Sequence, residues 1–407
     1  MVVYIAKEAI MGRIPWLPDP WTIFKVVAAL TLLGLLKWYS AGRPNTSERK
    51  MHGKVIMVTG GTSGIGAEVV RDLAERGAQI ILLTHQSPSD MFIVDYIEDL
   101  RDQTGNQLIY AEQVDLSSLY SIRRFATKWV DNAPPRRLDM IILCAATLTA
   151  PGKPRVVTGE GLEETWTVNY LSNFHLLSIL SPAIRAQPPD RDVRIIFTTC
   201  SSYIQSPAIG DGSIAQKKKG WTPRNAYAMS KLALTIFGLA FQKHLDAYKR
   251  PDGMPVNARV VFVNPGYSRT PGMRRWLTRG TLWGLALYLS FWQVTWILLK
   301  SAEGGAQSIL YAAMEANLGR GAGGKLIKEC LEMKFARSDV HDEDIAKNLW
   351  EGSEKLIERV EREEAVRRAL EKKEKEELEK SGKAKEKPVE NDNEGNKPKS
   401  RRQRKVK

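Results

Sequence analysis

The feature that most constrains this chain is the stretch Thr59-Gly60-Gly61-Thr62-Ser63-Gly64-Ile65-Gly66, which follows the apolar run Val55-Ile56-Met57-Val58 and opens a helical pattern through Arg76. A buried strand that turns through glycines into a helix aims free backbone N–H groups and the positive helix end at one point, where a pyrophosphate binds. In this reading Gly60 makes the turn, Gly64 admits a close phosphate and Gly66 lets helix and strand pack. A glycine-rich turn on its own is just as often an ordinary loop. The context decides the matter, because a second apolar strand, Ala78-Gln79-Ile80-Ile81-Leu82-Leu83, follows within about the 30 residues of a βαβ nucleotide unit.

The alternation then continues. Strand patterns at 108–114, 138–146, 193–199 and 258–263 are separated by helical patterns at 93–103, 121–130, 169–180 and 227–248. Such an order predicts an open parallel sheet with helices on both faces, and ligands bind beyond the carboxyl ends of its strands. Ser63, Asp115, Ala145, Ser201 and Gly266 gather at that edge. After the second strand comes Thr84-His85-Gln86-Ser87, with no acid to take the ribose 2′-hydroxyl of NAD. This favours NADP over NAD, although no arginine marks a 2′-phosphate either.

Tyr227 and Lys231 open a helix four residues apart and so lie on one face, where the ammonium favours the phenolate and tunes the phenol as an acid/base. Alone, this is a common surface spacing. Downstream of a nucleotide turn it becomes a candidate catalytic pair.

Taken in order, Thr59 through Gly66, Asp115, Asn169, the Tyr227/Lys231 pair and Pro265-Gly266 followed by Thr270 resemble the short-chain dehydrogenases/reductases of the classical type, over residues 53 to 330. The resemblance implies an α/β fold with a doubly wound parallel sheet of Rossmann type, and hydride transfer between NAD(P) and a carbonyl or alcohol carbon. It implies that Tyr227 exchanges the proton, that Lys231 binds the nicotinamide ribose and lowers the phenol pKa, and that Asn169 holds a relay water. Gly60, Ser63, Gly64, Ile65, Gly66, Asp115, Lys231, Pro265 and Gly266 line the cofactor, with Thr270 on the carboxamide. Two segments depart from the pattern. The family's NNAG is here Leu143-Cys144-Ala145-Ala146-Thr147, and ungapped alignment puts Cys200 where the substrate-binding serine belongs. A thiol is a weak donor, so Ser201, brought in by a local shift of the strand end, is the expected catalytic serine. Residues 304–313 resemble the retinol-dehydrogenase-like branch, whose members are membrane-associated and act on lipophilic substrates.

The two ends of the chain carry different signals. Residues 21–39 are nearly long enough to span a bilayer, with Lys25 and Lys37 near the ends and Trp21, Trp38 and Tyr39 at interfacial positions. They read as a retained anchor within a leader of residues 1–50, and a span and a one-leaflet hairpin both remain open. The catalytic domain occupies 51–335. Its lid, 271–300, carries Arg274, Arg275 and Arg279 and then tryptophan and leucine on all sides, as a segment dipping into a membrane would. A charged helix is expected at 336–380 and a disordered basic tail at 381–407, suited to anionic headgroups; nucleic acid is disfavoured because no aromatics accompany the charge. The formal charge of +14 owes much to that tail.

The three cysteines, Cys144, Cys200 and Cys330, fit neither a disulfide framework nor a metal site, so no metal is expected and a reducing, cytosol-facing domain follows. The whole resembles fungal lipid-droplet or endoplasmic-reticulum members of the family, with a lipophilic small molecule as substrate and a membrane or droplet surface as partner. The oligomeric state is not legible. A second reading keeps the nucleotide fold but makes the protein a catalytically weak membrane scaffold; the intact Tyr227/Lys231 pair argues against it and Cys144 and Cys200 argue for it.

Overall fold

In the computed structural model, which describes residues 19–210 and 220–385, the apolar runs become strands β1 (Val55–Thr59), β2 (Gln79–Thr84), β3 (Ile109–Gln113), β4 (Met140–Leu143), β5 (Val193–Thr198) and β6 (Ala258–Asn264). Two short strands, β7 (Lys325–Lys328) and β8 (Leu331–Met333), extend them to one sheet of order β3-β2-β1-β4-β5-β6-β7-β8. Every pairing is parallel except the terminal β7/β8 hairpin. The sequence pattern did not predict β7 and β8.

The helices follow in chain order: α1 (Pro20–Ala41), α2 (Gly64–Glu75), α3 (Met91–Thr104), α4 (Leu119–Val130), α5 (Ser172–Arg185), α6 (Pro223–Asp246), α7 (Pro271–Leu277), α8 (Leu282–Ser290), α9 (Trp292–Leu298), α10 (Ala302–Met314) and α11 (Glu343–Lys385). Strand side chains alternate between faces. Ile56, Val58, Ile80, Leu82, Met140 and Ile142 therefore share one aliphatic layer with Val69, Val70 and Leu73 of α2 and Ala306 and Ile309 of α10. Each such buried aliphatic contributes roughly 2 kcal/mol. The opposite face is aromatic: Phe197 of β5 lies 5.4 Å from Phe262 of β6 and 6.1 Å from Phe237 of α6.

The first turns of α11 finish that aromatic face. Trp350 sits 5.2 Å from Phe174 and 5.6 Å from Phe237, and the Ser353 and Tyr170 hydroxyls meet at 2.7 Å. The compact unit through Glu358 contains all of this; a second unit begins at Arg359, and its described part is a charged helix in which Arg367 pairs with Glu364 at 2.6 Å. The charged helix thus starts at Glu343 rather than 336. Residues 381–385, expected in the tail, continue the helix, while the remaining tail and the leader before residue 19 lie outside the described residues.

The edge opposite the ligand end is fixed by Asp139, just before β4. Its fully buried carboxylate accepts from the Val55 N–H at 2.9 Å, Lys54 Nζ at 3.1 Å and Arg137 Nε at 2.5 Å. Burial alone would raise its pKa, but the hydrogen bonds from Arg137, Val55 and Lys54 outweigh that cost and hold it below the ordinary carboxylate value. Asp139→Asn leaves two cations facing a neutral amide, and thermal unfolding at neutral pH is expected to show a loss of about 3 kcal/mol. Because the folded pKa is depressed, the carboxylate's contribution is present above its unfolded pKa and is lost as pH falls through the folded one. The difference between wild type and variant should therefore shrink on acidification.

Candidate active site

At the carboxyl end of β1 the chain turns at Gly60 with φ +68, and a side chain there would lie 2.8 Å from the Ala145 backbone. A Cβ at Gly66 would stand 2.2 Å from the Gly60 carbonyl oxygen, so only glycine lets α2 begin this close to β1. Ser63 occupies the cap position of α2 without a side-chain cap bond, which leaves its hydroxyl available to a ligand. From α3, the Tyr96 hydroxyl donates to the Gly61 carbonyl at 2.8 Å, and burial pushes this phenol's pKa up to about 12. The sequence reading missed this support because α3 carries no motif.

The turn opens into a cavity of about 1730 Å³ bounded by the ends of β1, β2, β4, β5 and β6. Gly60, Ser63, Gly64, Ile65, Gly66, Asp115, Pro265, Gly266 and Thr270 all line it. Asp115 folds an Asx turn, its Oδ1 accepting from the Ser117 N–H at 2.8 Å. Gly266 has φ +77 and donates its N–H to Asn264 Oδ1 at 3.1 Å. The Thr270 hydroxyl caps α7 through the Met273 N–H at 3.2 Å, and its methyl would be 3.1 Å from a Cβ on Gly64. At the end of β2, Thr84 is buried and His85 is exposed on the cavity wall, with no carboxylate between them. A glycine cradle at a helix N-terminus beside a cavity of this size fits a dinucleotide.

Lys231 and Tyr227 reach the same cavity from the first turns of α6. Lys231 is 2 % exposed, donates from Nζ to the Thr198 carbonyl at 3.0 Å and lies 5.7 Å from the centre of the Tyr227 ring. Burial lowers its ammonium pKa. The phenol moves in the opposite direction from the sequence expectation: burial, to which the neighbouring Cys200 adds, pushes Tyr227 well above the ordinary tyrosine value. The Lys231 ammonium bonds a backbone carbonyl here, and desolvation of the phenol outweighs its charge.

Asn169 lies within a π-helical turn, Thr167–Leu171, that leads into α5. Such turns put a residue out of helical register and recur at functional sites. Its carboxamide accepts from the Thr147 N–H at 2.7 Å and donates to the Thr147 carbonyl and to Ser230 Oγ, both at 3.0 Å. Ser230 in turn donates to the Tyr227 carbonyl at 2.8 Å, so Asn169 ties the β4 end to the Tyr227 turn. The side chain is thus engaged by protein groups; the expected relay water has no donor left on it.

The expected shift of the β5 end does not occur. The β5 ladder keeps its register with β4 through Phe197 and with β6 through Thr198, and Cys200 follows with extended backbone at φ −157. The thiol that meets Tyr227 is therefore that of Cys200, whereas Ser201 opens a short 3-10 turn and its hydroxyl accepts from Asn264 Nδ2 at 2.9 Å. Cys144 sits at the β4 end with its sulfur 3.3 Å from Thr198 Oγ1, and burial pushes its thiol up to about 11.

Beyond Thr270 the chain forms a lid of α7, α8 and α9. It leaves and returns at one point, because Ser268 and Lys300 form a parallel bridge, with Arg269 N–H to Lys300 carbonyl at 2.8 Å and Lys300 N–H to Tyr267 carbonyl at 3.0 Å. The Lys300 ammonium pairs with Glu329 of the β7/β8 turn, which also accepts from the Arg43 N–H at 3.2 Å.

The sequence model of the short chain dehydrogenase family matches residues 54–279. The chain is 43% identical over 343 residues to Uncharacterized oxidoreductase pbr1 of Schizosaccharomyces pombe, covering 83% of this chain and 90% of that protein. It is 31% identical over 324 residues to Retinol dehydrogenase 13 of Mus musculus, covering 79% and 89%. To Polyprenol dehydrogenase of Mus musculus it is 30% identical over 300 residues, covering 73% and 82%. With the glycine cradle and the Tyr227/Lys231 pair at one cavity, these likenesses establish that the chain belongs to the short-chain dehydrogenase/reductase family, in its retinol-dehydrogenase-like branch, and is an NAD(P)-dependent oxidoreductase.

Proposed function

We propose that the protein is a membrane-anchored, NADP-preferring oxidoreductase that interconverts a lipophilic alcohol and its aldehyde or ketone. The observation that carries this reading is the apolar mouth of the cavity. Leu282 and Leu285 of α8 line it, yet Leu282 is 86 % and Trp283 88 % exposed, and Leu287, Leu289, Phe291 and Trp292 are exposed beside them. An exposed patch of this kind marks a contact with membrane or partner. The apolar helix of Trp21–Ala41, long enough to cross a membrane with a mean hydropathy of 1.5, meets the same lid. Lys37 of α1 donates to the Trp296 carbonyl of α9 at 2.6 Å and stands 4.5 Å over that indole. Anchor and lid then share one apolar surface, with exposed Arg274, Arg275 and Arg279 at headgroup level. The names of two relatives, retinol and polyprenol dehydrogenases, are those of enzymes for long apolar alcohols.

The preference for NADP rests on the missing carboxylate after β2, where His85 replaces the acid that would select NAD. An endoplasmic-reticulum or lipid-droplet surface, with the catalytic domain in the cytosol, agrees with three free cysteines. When bound, the nicotinamide supplies or accepts the hydride at the substrate carbon. Tyr227 then gives the proton to, or takes it from, the substrate oxygen. Lys231, held by the Thr198 carbonyl, brings positive charge to the nicotinamide ribose and the phenol. Asn169 keeps the β4 end and the Tyr227 turn in register.

Detergent-solubilised protein should oxidise NADPH faster than NADH with lipophilic aldehydes, and Tyr227→Phe should lose at least about a hundredfold in kcat. An unaffected Tyr227→Phe enzyme would refute the acid/base assignment. Because the phenol pKa is raised, the proton donor stays charged with its proton through neutral pH. The reduction rate should be level there and fall only in the alkaline range, while oxidation should rise with pH, as initial-rate profiles will read. A Leu282→Asp/Trp283→Asp double variant should bind phospholipid vesicles more weakly in flotation and raise KM for long-chain substrates, with NADPH affinity unchanged.

A further inference from the structure

We infer that the thiol of Cys200 is the side chain that meets the substrate oxygen beside Tyr227, in the place where a hydroxyl would be expected, and that this makes the enzyme depend on the length of its substrate. The inference deepens the hydride-transfer reading and rests on it. Three groups at the end of β5 could serve, and the structure separates them. Thr199 is buried and its hydroxyl lies 3.3 Å from that of Thr235 within the helix layer. Ser201 opens the 3-10 turn and its hydroxyl accepts at 2.9 Å from Asn264, whose carboxamide oxygen takes the Gly266 N–H, so Ser201 lies toward the Pro265-Gly266 loop. Cys200 remains, half-buried on the wall of the cavity that Tyr227 also lines, and it follows the β5 ladder with extended backbone. A one-residue slip would exchange the β5 side chains that pack in the aliphatic layer with those that pack in the aromatic layer, and the ladders with β4 and β6 hold the register against it.

A thiol is a weaker hydrogen-bond donor than a hydroxyl and its larger sulfur keeps the substrate oxygen further away. The negative charge that develops on that oxygen is therefore less stabilised from the Cys200 side and relies more on Tyr227. A substrate with few other contacts would be poorly held at the reacting centre. A long apolar substrate compensates, since its remote part binds along the lid and that binding energy fixes the carbonyl in place. Leu282 and Leu285 at the cavity mouth supply such a surface. The specificity that results is for length and apolarity rather than for a particular polar pattern near the carbonyl.

The test compares Cys200→Ser, Cys200→Ala, Ser201→Ala and Tyr227→Phe in the full-length, detergent-solubilised protein. Substrates are a homologous series of aliphatic and isoprenoid aldehydes, and NADPH binding is followed by tryptophan fluorescence as a check that each variant is folded. Cys200→Ser is expected to raise kcat several-fold with short aldehydes and less with long ones, flattening the length dependence. Cys200→Ala is expected to lose about tenfold in kcat with NADPH affinity unchanged, and more than Ser201→Ala loses. Equal kcat for Cys200→Ala and wild type, a larger loss in Ser201→Ala, or an unchanged length dependence in Cys200→Ser would each overturn the inference. Failure of the underlying reading looks different: Tyr227→Phe would then keep its activity whatever residue stands at 200.

Discussion

The close approach of Gly66 to the Gly60 carbonyl is the contact on which the rest of the site depends. A single methyl group there would collide with the backbone, push α2 away from β1 and move the N–H groups that face the cavity. The neighbouring parts are built to hold that approach. Gly60 lies against the backbone of Ala145, which leaves no room for a side chain at residue 60, and Tyr96 fixes the Gly61 carbonyl from the far side. The departure of this chain from the family's NNAG pattern is tolerable for the same reason, because Ala145 and Ala146 keep the close backbone approach even though the asparagine side chains are gone.

Electrostatics in the site are dominated by desolvation. Lys231, Tyr227 and the Cys144 thiol are removed from water together, and the charged form of each is disfavoured. The ammonium is compensated by the Thr198 carbonyl, a backbone acceptor whose position is fixed by the β5 ladder. In the function proposed above, a phenol whose pKa burial has raised serves as the proton donor.

The central strands were legible because a parallel sheet buried on both faces demands apolar runs, as in β1, β2 and β4, and the edge strand β3 was legible from its place in the strand-helix alternation. β7 and β8 escaped because they are short, lie at the edge and carry Lys325, Lys328 and Glu332, whose charges read as a loop. The site was legible where a residue type is required by its chemistry, as at Gly60, Tyr227 and Lys231. It was not legible where backbone hydrogen bonding decides: the π-helical turn at Asn169, the Thr198 carbonyl and the choice between Cys200 and Ser201. Preference for the better donor placed the catalytic role on Ser201. The register of β5, which sequence alone does not print, is what leads us to propose its neighbour Cys200 instead.

The lid illustrates a freedom that the sheet does not have. Its chain departs and returns through adjacent residues, Ser268 and Lys300, which are bridged to each other and secured by Glu329. A segment closed at its base in this way is a detachable module. Its helices can be lengthened, shortened or exchanged without altering the distance that the scaffold has to span, so new substrate ranges can arise by insertion and deletion above the bridge while the cofactor end of the molecule stays the same.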